Sequence, residues 1–229
     1  LTERFINYFP VGLDPYEMIG NPELDPEANN QADVSFVWRD EKTAINMDVF
    51  AAYMQNYISS AIDTALDPRL PNSPGVRQYM NIDEAFKTGF EVTWLQKLPY
   101  GLQSQIGVAY TYAQDLALNE PLPEIPPLDL RIALNGSYFD NKLLPELQFR
   151  YAMKQDRISE EYGESETPEF TLLYFKVAYK ITDNLRVSAG VNNIMDQKYY
   201  EHLSRAVRGT TDPIYAPGRN FFGSVSYTF

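Results

Sequence analysis

Apolar and polar residues alternate in one stretch after another of this chain, and the connections between those stretches alternate in length. Successive side chains of a β-strand point to opposite faces, so a period of two marks a strand with one apolar and one polar face. In the last stretch Phe221, Gly223, Val225, Tyr227 and Phe229 share one face, and Phe222, Ser224, Ser226 and Thr228 the other. The first such stretch sets Val34, Phe36 and Trp38 against Asp33, Ser35 and Arg39. The second, running to about Tyr57, sets Ile45, Met47, Val49, Ala51 and Tyr53 against Asn46, Asp48, Phe50, Ala52 and Met54. Further strands are read around Phe90–Trp94, Ile106–Tyr112, Leu128–Tyr138, Leu147–Met153, Leu173–Tyr179 and Leu185–Val191.

The connections run short, long, short, long. Short ones lie near 40–42, 97–101, 139–142 and 181–184; long ones near 58–85, 115–127, 156–169 and 194–217. A soluble sandwich has no reason to keep that alternation. An up-and-down membrane barrel does, because its turns are short on one side and its loops long on the other. Composition agrees. Mean hydropathy is negative at -0.37 although aromatics reach 14%, which fits one apolar face per strand, polar loops and aromatic girdles. No apolar run of about 18 residues offers a transmembrane helix. The formal net charge of -12 argues against nucleic-acid partners, which need a basic surface. With no cysteine, disulfide scaffolds and thiolate metal sites are excluded.

The predicted fold is therefore all-β: a transmembrane antiparallel up-and-down β-barrel. Nine strands are an odd number, and an open sheet cannot leave unpaired edges in lipid. Residues 1–229 are thus expected to be the C-terminal portion of a larger barrel, with the earlier strands outside the sequence.

Two segments carry a family resemblance. Gly190-Val191-Asn192-Asn193-Ile194-Met195-Asp196-Gln197-Lys198-Tyr199-Tyr200-Glu201-His202 is followed by Pro217-Gly218-Arg219-Asn220-Phe221-Phe222 and the strand ending at Phe229. Together they resemble the end of TonB-dependent outer-membrane receptors. Gly20-Asn21-Pro22-Glu23-Leu24-Asp25-Pro26-Glu27 and Gly89-Phe90-Glu91 are similar to other family motifs. The resemblance implies a barrel of about 22 strands around an N-terminal plug domain, which this sequence does not include. It implies active uptake of a scarce nutrient, a ferric siderophore foremost, with copper, haem or cobalamin as alternatives. The implied partners are outer-membrane lipid of a Gram-negative bacterium, the TonB complex acting through the plug, a metal–siderophore or similar ligand, and the barrel-assembly machinery. No enzymatic activity and no cofactor are expected. A passive porin or adhesin barrel, and a soluble β-sheet binding module, are the competing classes.

Candidate ligand contacts are Tyr199, Tyr200 and His202, just past a strand end; loop packing is their plainer role. Tyr227 and Phe229 are the candidate assembly signal, by resemblance to the family's final aromatic strand. No metal site is read. His202 is the only histidine, and the six methionines are scattered. Leu122-Pro123-Glu124-Ile125-Pro126-Pro127 has a resemblance to copper-receptor members. The acids of 156–169 match no calcium loop and are expected to be solvated and mobile.

Overall fold

A computed structural model describes residues 2–10, 15–204 and 212–229. One helical turn, α1 (Thr2–Phe5), is followed by strands β1 (Phe9–Pro10), β2 (Glu17–Ile19), β3 (Ala28–Arg39), β4 (Thr43–Asp63), β5 (Val76–Lys97) and β6 (Leu102–Asp115). Then come β7 (Glu120–Pro121), β8 (Asp129–Gly136), β9 (Leu143–Ala152), β10 (Phe170–Lys180), β11 (Leu185–Asn192) and β12 (Asn220–Tyr227). The short pieces β1, β2 and β7 are side branches. The other nine strands each pair antiparallel with the next, from β3 at one edge to β12 at the other. These are the nine strands expected from the alternation, joined by short turns and long loops in the expected order.

The register turns the apolar faces into continuous rows. Trp38 lies opposite Ile45, then Trp94, Ile106, Ile132, Phe149 and Leu173 in successive strands. The next row runs Leu134, Leu147, Phe175, Val191, Phe221. Trp38 sits beside the short-turn end of β3, whereas Leu173 is seven residues from the short-turn end of β10. The rows climb across the sheet. That stagger of register is what tilted barrel strands require.

No second layer covers these rows among the described residues. Val34, Phe36 and Trp38 are 70%, 55% and 53% exposed, and Phe221 and Val225 are 74% and 73% exposed. A contiguous apolar belt of this extent does not face water in a soluble domain; it faces lipid.

The opposite face is polar and is cross-linked. Ser35 donates to Asp48, and the hydroxyls of Ser188 and Ser224 lie 2.7 Å apart across β11 and β12. Phe50 and Phe222 break the pattern, and the register explains both. Phe50 lies opposite Gly89, and Phe222 opposite Gly190. Each ring covers the backbone that its glycine leaves bare. A Cβ on Gly89 would stand 2.5 Å from the Tyr110 carbonyl oxygen and 2.7 Å from the Phe50 ring. We predict that Gly89→Val lowers the stability of the full-length protein by about 1–3 kcal/mol, the usual cost of overpacking. A urea titration that leaves the midpoint unmoved would remove this role from Gly89.

The β4–β5 hairpin departs from expectation. Residues 58–85 were expected as a long connection, with the part around Val76 to Ile82 extending the following strand. Instead β4 and β5 run 21 and 22 residues and pair without a register change from Thr43↔Gln96 to Asp63↔Val76. Asn56, with φ of 53°, interrupts the ladder without shifting it. Asn tolerates this left-handed geometry, and Asn81 Nδ2 donates to the Asn56 carbonyl at 2.8 Å. Spanning takes about 9–11 residues per strand, so the hairpin projects well past the bilayer on the long-loop side. Its tip receives β2, parallel to the start of β5. Alternation failed to reveal this extension because a projecting hairpin has no lipid side to keep apolar.

Candidate functional site

The polar face gathers its charge where β8 and β9 meet the long loops. Register puts Arg131 directly opposite Arg150, an arrangement of like charges that is unfavourable alone. Asp129, two residues before Arg131 on the same face, sits between them. Its Oδ1 accepts from Arg131 Nε at 2.8 Å and its Oδ2 from Arg150 Nε at 2.7 Å. Arg150 then reaches up to the 193–219 loop. Its Nη1 and Nη2 donate to the two carboxylate oxygens of Glu201 at 2.6 and 2.9 Å, a forked pair. The Phe170 ring lies 5.1 Å from the Arg150 guanidinium carbon. Below this cluster the small residues Gly107 and Ala133 leave a recess of about 470 Å³, which Gln105, Gln148 and Tyr174 also line. A second recess of about 430 Å³ extends from it toward Glu91, Thr111 and Pro126.

Above the recesses the loops lock together, with the 153–169 segment at the centre. Glu164 accepts from the Glu124 backbone N–H at 2.6 Å and from that of Ser159 at 3.0 Å. Glu120 accepts from the backbone N–H groups of Glu160 and Glu161. Tyr162 lies under the Arg77 guanidinium at 3.9 Å, and Arg77 also covers Tyr16 at 4.5 Å. Gln155 donates to the Ile125 carbonyl at 2.6 Å, and Arg157 donates to Gln114 at 2.8 Å. Among the acids of this loop, expected to be solvated, Glu164 thus satisfies a backbone donor of a neighbouring loop as well as one of its own. Lys154 lies beside Glu166 at 2.7 Å, and that hydrogen bond raises its ammonium pKa above the usual lysine value.

The expected ligand residues fall in one loop with different surroundings. Tyr199 packs on Phe170 with ring centroids 4.7 Å apart. Tyr200 meets Tyr215 edge-on at 5.5 Å, and burial pushes its phenol pKa up. The His202 side chain is 3% exposed. Its Nδ1 is 2.9 Å from Thr167 Oγ1, and its Nε2 is 3.6 Å from Glu164 Oε1. A buried imidazole contacts an incoming ligand only after the loops part. Tyr227 and Phe229 meet edge-on with ring centroids 5.1 Å apart, and the chain between them is tied down. The Thr228 N–H donates to the Asn184 carbonyl, and Asn184 Nδ2 donates to the Thr228 carbonyl.

The structure also joins the two motif segments. Asn193 Nδ2 donates to the Gln197 carbonyl and Asn193 Oδ1 accepts from the Gln197 N–H, closing a tight turn. Asp196 Oδ1 accepts from the Arg219 N–H at 2.7 Å, and a Cβ on Gly218 would come within 2.9 Å of that oxygen. Arg219 Nε donates to the Ile194 carbonyl at 2.9 Å. The start of the long loop is therefore held to its end.

The family model described as "TonB dependent receptor-like, beta-barrel" matches residues 1–194. No curated protein matches the chain. Among solved structures, the copper transporter OprC is similar at a TM-score of 0.83 and 23% identity, covering 91% of this chain and 32% of that one. The ferric enterobactin receptor PfeA from Pseudomonas aeruginosa, in complex with enterobactin, is similar at 0.68 and 20%, covering 93% and 33%. The siderophore receptor PirA from Acinetobacter baumannii is similar at 0.68 and 17%, covering 93% and 33%. The chain thus spans about a third of the length of the structures it matches. At these identities the likeness is one of fold. The nine-strand staggered wall and the family match over most of its length lead to one conclusion: the chain belongs to the TonB-dependent receptors, as part of their β-barrel.

Proposed function

We propose that residues 1–229 are the C-terminal barrel portion of an outer-membrane receptor of a Gram-negative bacterium that imports a scarce metal complex, foremost a ferric siderophore, with energy supplied through TonB. The observation that carries this reading is a sheet with an apolar outer belt whose polar inner face holds a charged cluster roofed by interlocked loops. A passive pore needs no such roof. In this reading a plug domain fills the lumen and makes the TonB contact. Tyr200 is placed to touch ligand, while Tyr199 and His202 set the shape of its loop. Tyr227 and Phe229, edge-on to each other on the outward side, are offered to the barrel-assembly machinery. Copper import is the second substrate reading, supported by the 122–127 segment, whose Leu122 and Ile125 are buried beneath the roof.

The test is uptake by cells that express the full-length receptor, with and without functional TonB. The expected result is accumulation of radioactive iron from one supplied siderophore, abolished when TonB is absent. Copper accumulation under the same control would replace iron with copper. Uptake of every small solute regardless of TonB would return the barrel to the passive class.

A further inference from the structure

The structure assigns to Arg131 a notch for an oxyanion that presents two oxygens, a carboxylate or phosphate group, on the inner wall just below the loops. Arg131 and Arg150 face each other across β8 and β9, yet their donors are used differently. Arg150 gives Nε to Asp129 and both Nη groups to Glu201, so its fork is filled. Among the described residues the side chain of Arg131 bonds Asp129 alone, through Nε. A guanidinium held by its Nε side keeps its Nη1–Nη2 edge pointing away, and that edge matches the two oxygens of a carboxylate. Asp129 thus works as an aiming device.

The surroundings leave room for the acceptor. Arg131 borders both recesses, of about 470 and 430 Å³. A Cβ on Gly107, which lies opposite it in register, would meet nothing within 4 Å. Gln105 and Gln148 supply amides on one side and Thr93 a hydroxyl on the other. Glu91 and Asp129 also line the second recess, and their carboxylates disfavour a further negative group beside them. The Arg131 side chain is 67% exposed, so it is held in reach of an occupant instead of being sunk in the wall.

This inference rests on the receptor reading, because only a lumen with an occupant presents an oxyanion here. The oxyanion has two sources: a carboxylate side chain of the domain that fills the lumen, or a soluble anionic ligand. The experiment uses the full-length receptor and its Arg131→Gln and Arg131→Lys variants. Citrate and inorganic phosphate are titrated calorimetrically, and urea unfolding is followed without added anion. If the source is soluble, citrate binds the wild type and binds Arg131→Gln at least tenfold more weakly, with Arg131→Lys between them because it keeps the charge but not the fork. If the source is the luminal domain, citrate does not bind the wild type, and that domain unfolds at lower urea in Arg131→Gln, with partial rescue by Lys. Equal behaviour of Arg131→Gln and wild type in both measurements overturns the notch. TonB-dependent uptake, measured in parallel, stands or falls separately and reports on the receptor reading itself.

Discussion

Leu147→Arg is expected to destabilise the full-length receptor in lipid vesicles by roughly 2–4 kcal/mol, the cost of an arginine on the lipid side of a barrel near mid-membrane. Gln148→Arg, one residue further on, is expected to be nearly neutral. Leu147 is the central outward residue of β9 and pairs with Leu134 and Phe175 in the apolar belt. Gln148 points inward to the recess and donates to Glu146, a partner that an arginine keeps. Volume and helix or strand preference do not separate the two substitutions. The facing alone does, because side chains one residue apart lie on opposite sides of the wall. The measurement is the urea midpoint of refolding into vesicles for each variant. Equal losses, or the larger loss at Gln148, would place the belt inside and overturn the membrane orientation of the whole sheet.

That orientation was legible in the sequence because lipid imposes a rule on every second residue. Trp38, Ile45, Trp94 and Ile106 obey it in four successive strands, and the alternation of loop lengths repeats it at a larger scale. Exceptions to the rule needed the register. Phe50 and Phe222 read as stray apolar residues until each was found over a glycine of the neighbouring strand. The charged cluster was harder still. Asp129, Arg131 and Arg150 were each visible on the polar face, but Glu201 is 51 residues from Arg150 and sits in a loop with no period to read. Nothing local ties a loop carboxylate to one arginine among several. The roles of the acids in 153–169 were hidden for the same reason. Glu164 serves as an acceptor for the Glu124 N–H, 40 residues away, and a backbone donor has no signature in the side-chain sequence. Motif resemblance did single out Asn193, Asp196, Gly218 and Arg219, and the turn they close gives those residue types a physical reason.

Arg150→Ala is expected to release the 196–204 segment from the wall. The Arg150 side chain is 18% exposed and bonds two carboxylates, Asp129 and Glu201, whose side chains are 21% and 42% exposed. Removing it leaves two negative groups facing each other with one partner, Arg131, already committed to Asp129. Breaking a fully buried pair costs about 3–5 kcal/mol; the partial exposure of Glu201 reduces this to roughly 1–3 kcal/mol, since exposed ion pairs contribute little. Arg150→Lys should recover only part of the loss, because a point charge cannot fork onto Glu201 and still reach Asp129. Glu201→Gln should be milder than Arg150→Ala, as it keeps an acceptor for one Nη and leaves the Asp129 bond intact. Hydrogen exchange of the full-length receptor separates a loop effect from general weakening. Residues 196–204 should gain exchange strongly in Arg150→Ala while the β4–β5 ladder keeps its protection. Uniform gain across the sheet would mean that Arg150 supports the wall and not the loop, and unchanged exchange in 196–204 would mean that the Asn193–Gln197 turn and the Asp196–Arg219 contact hold that loop without it.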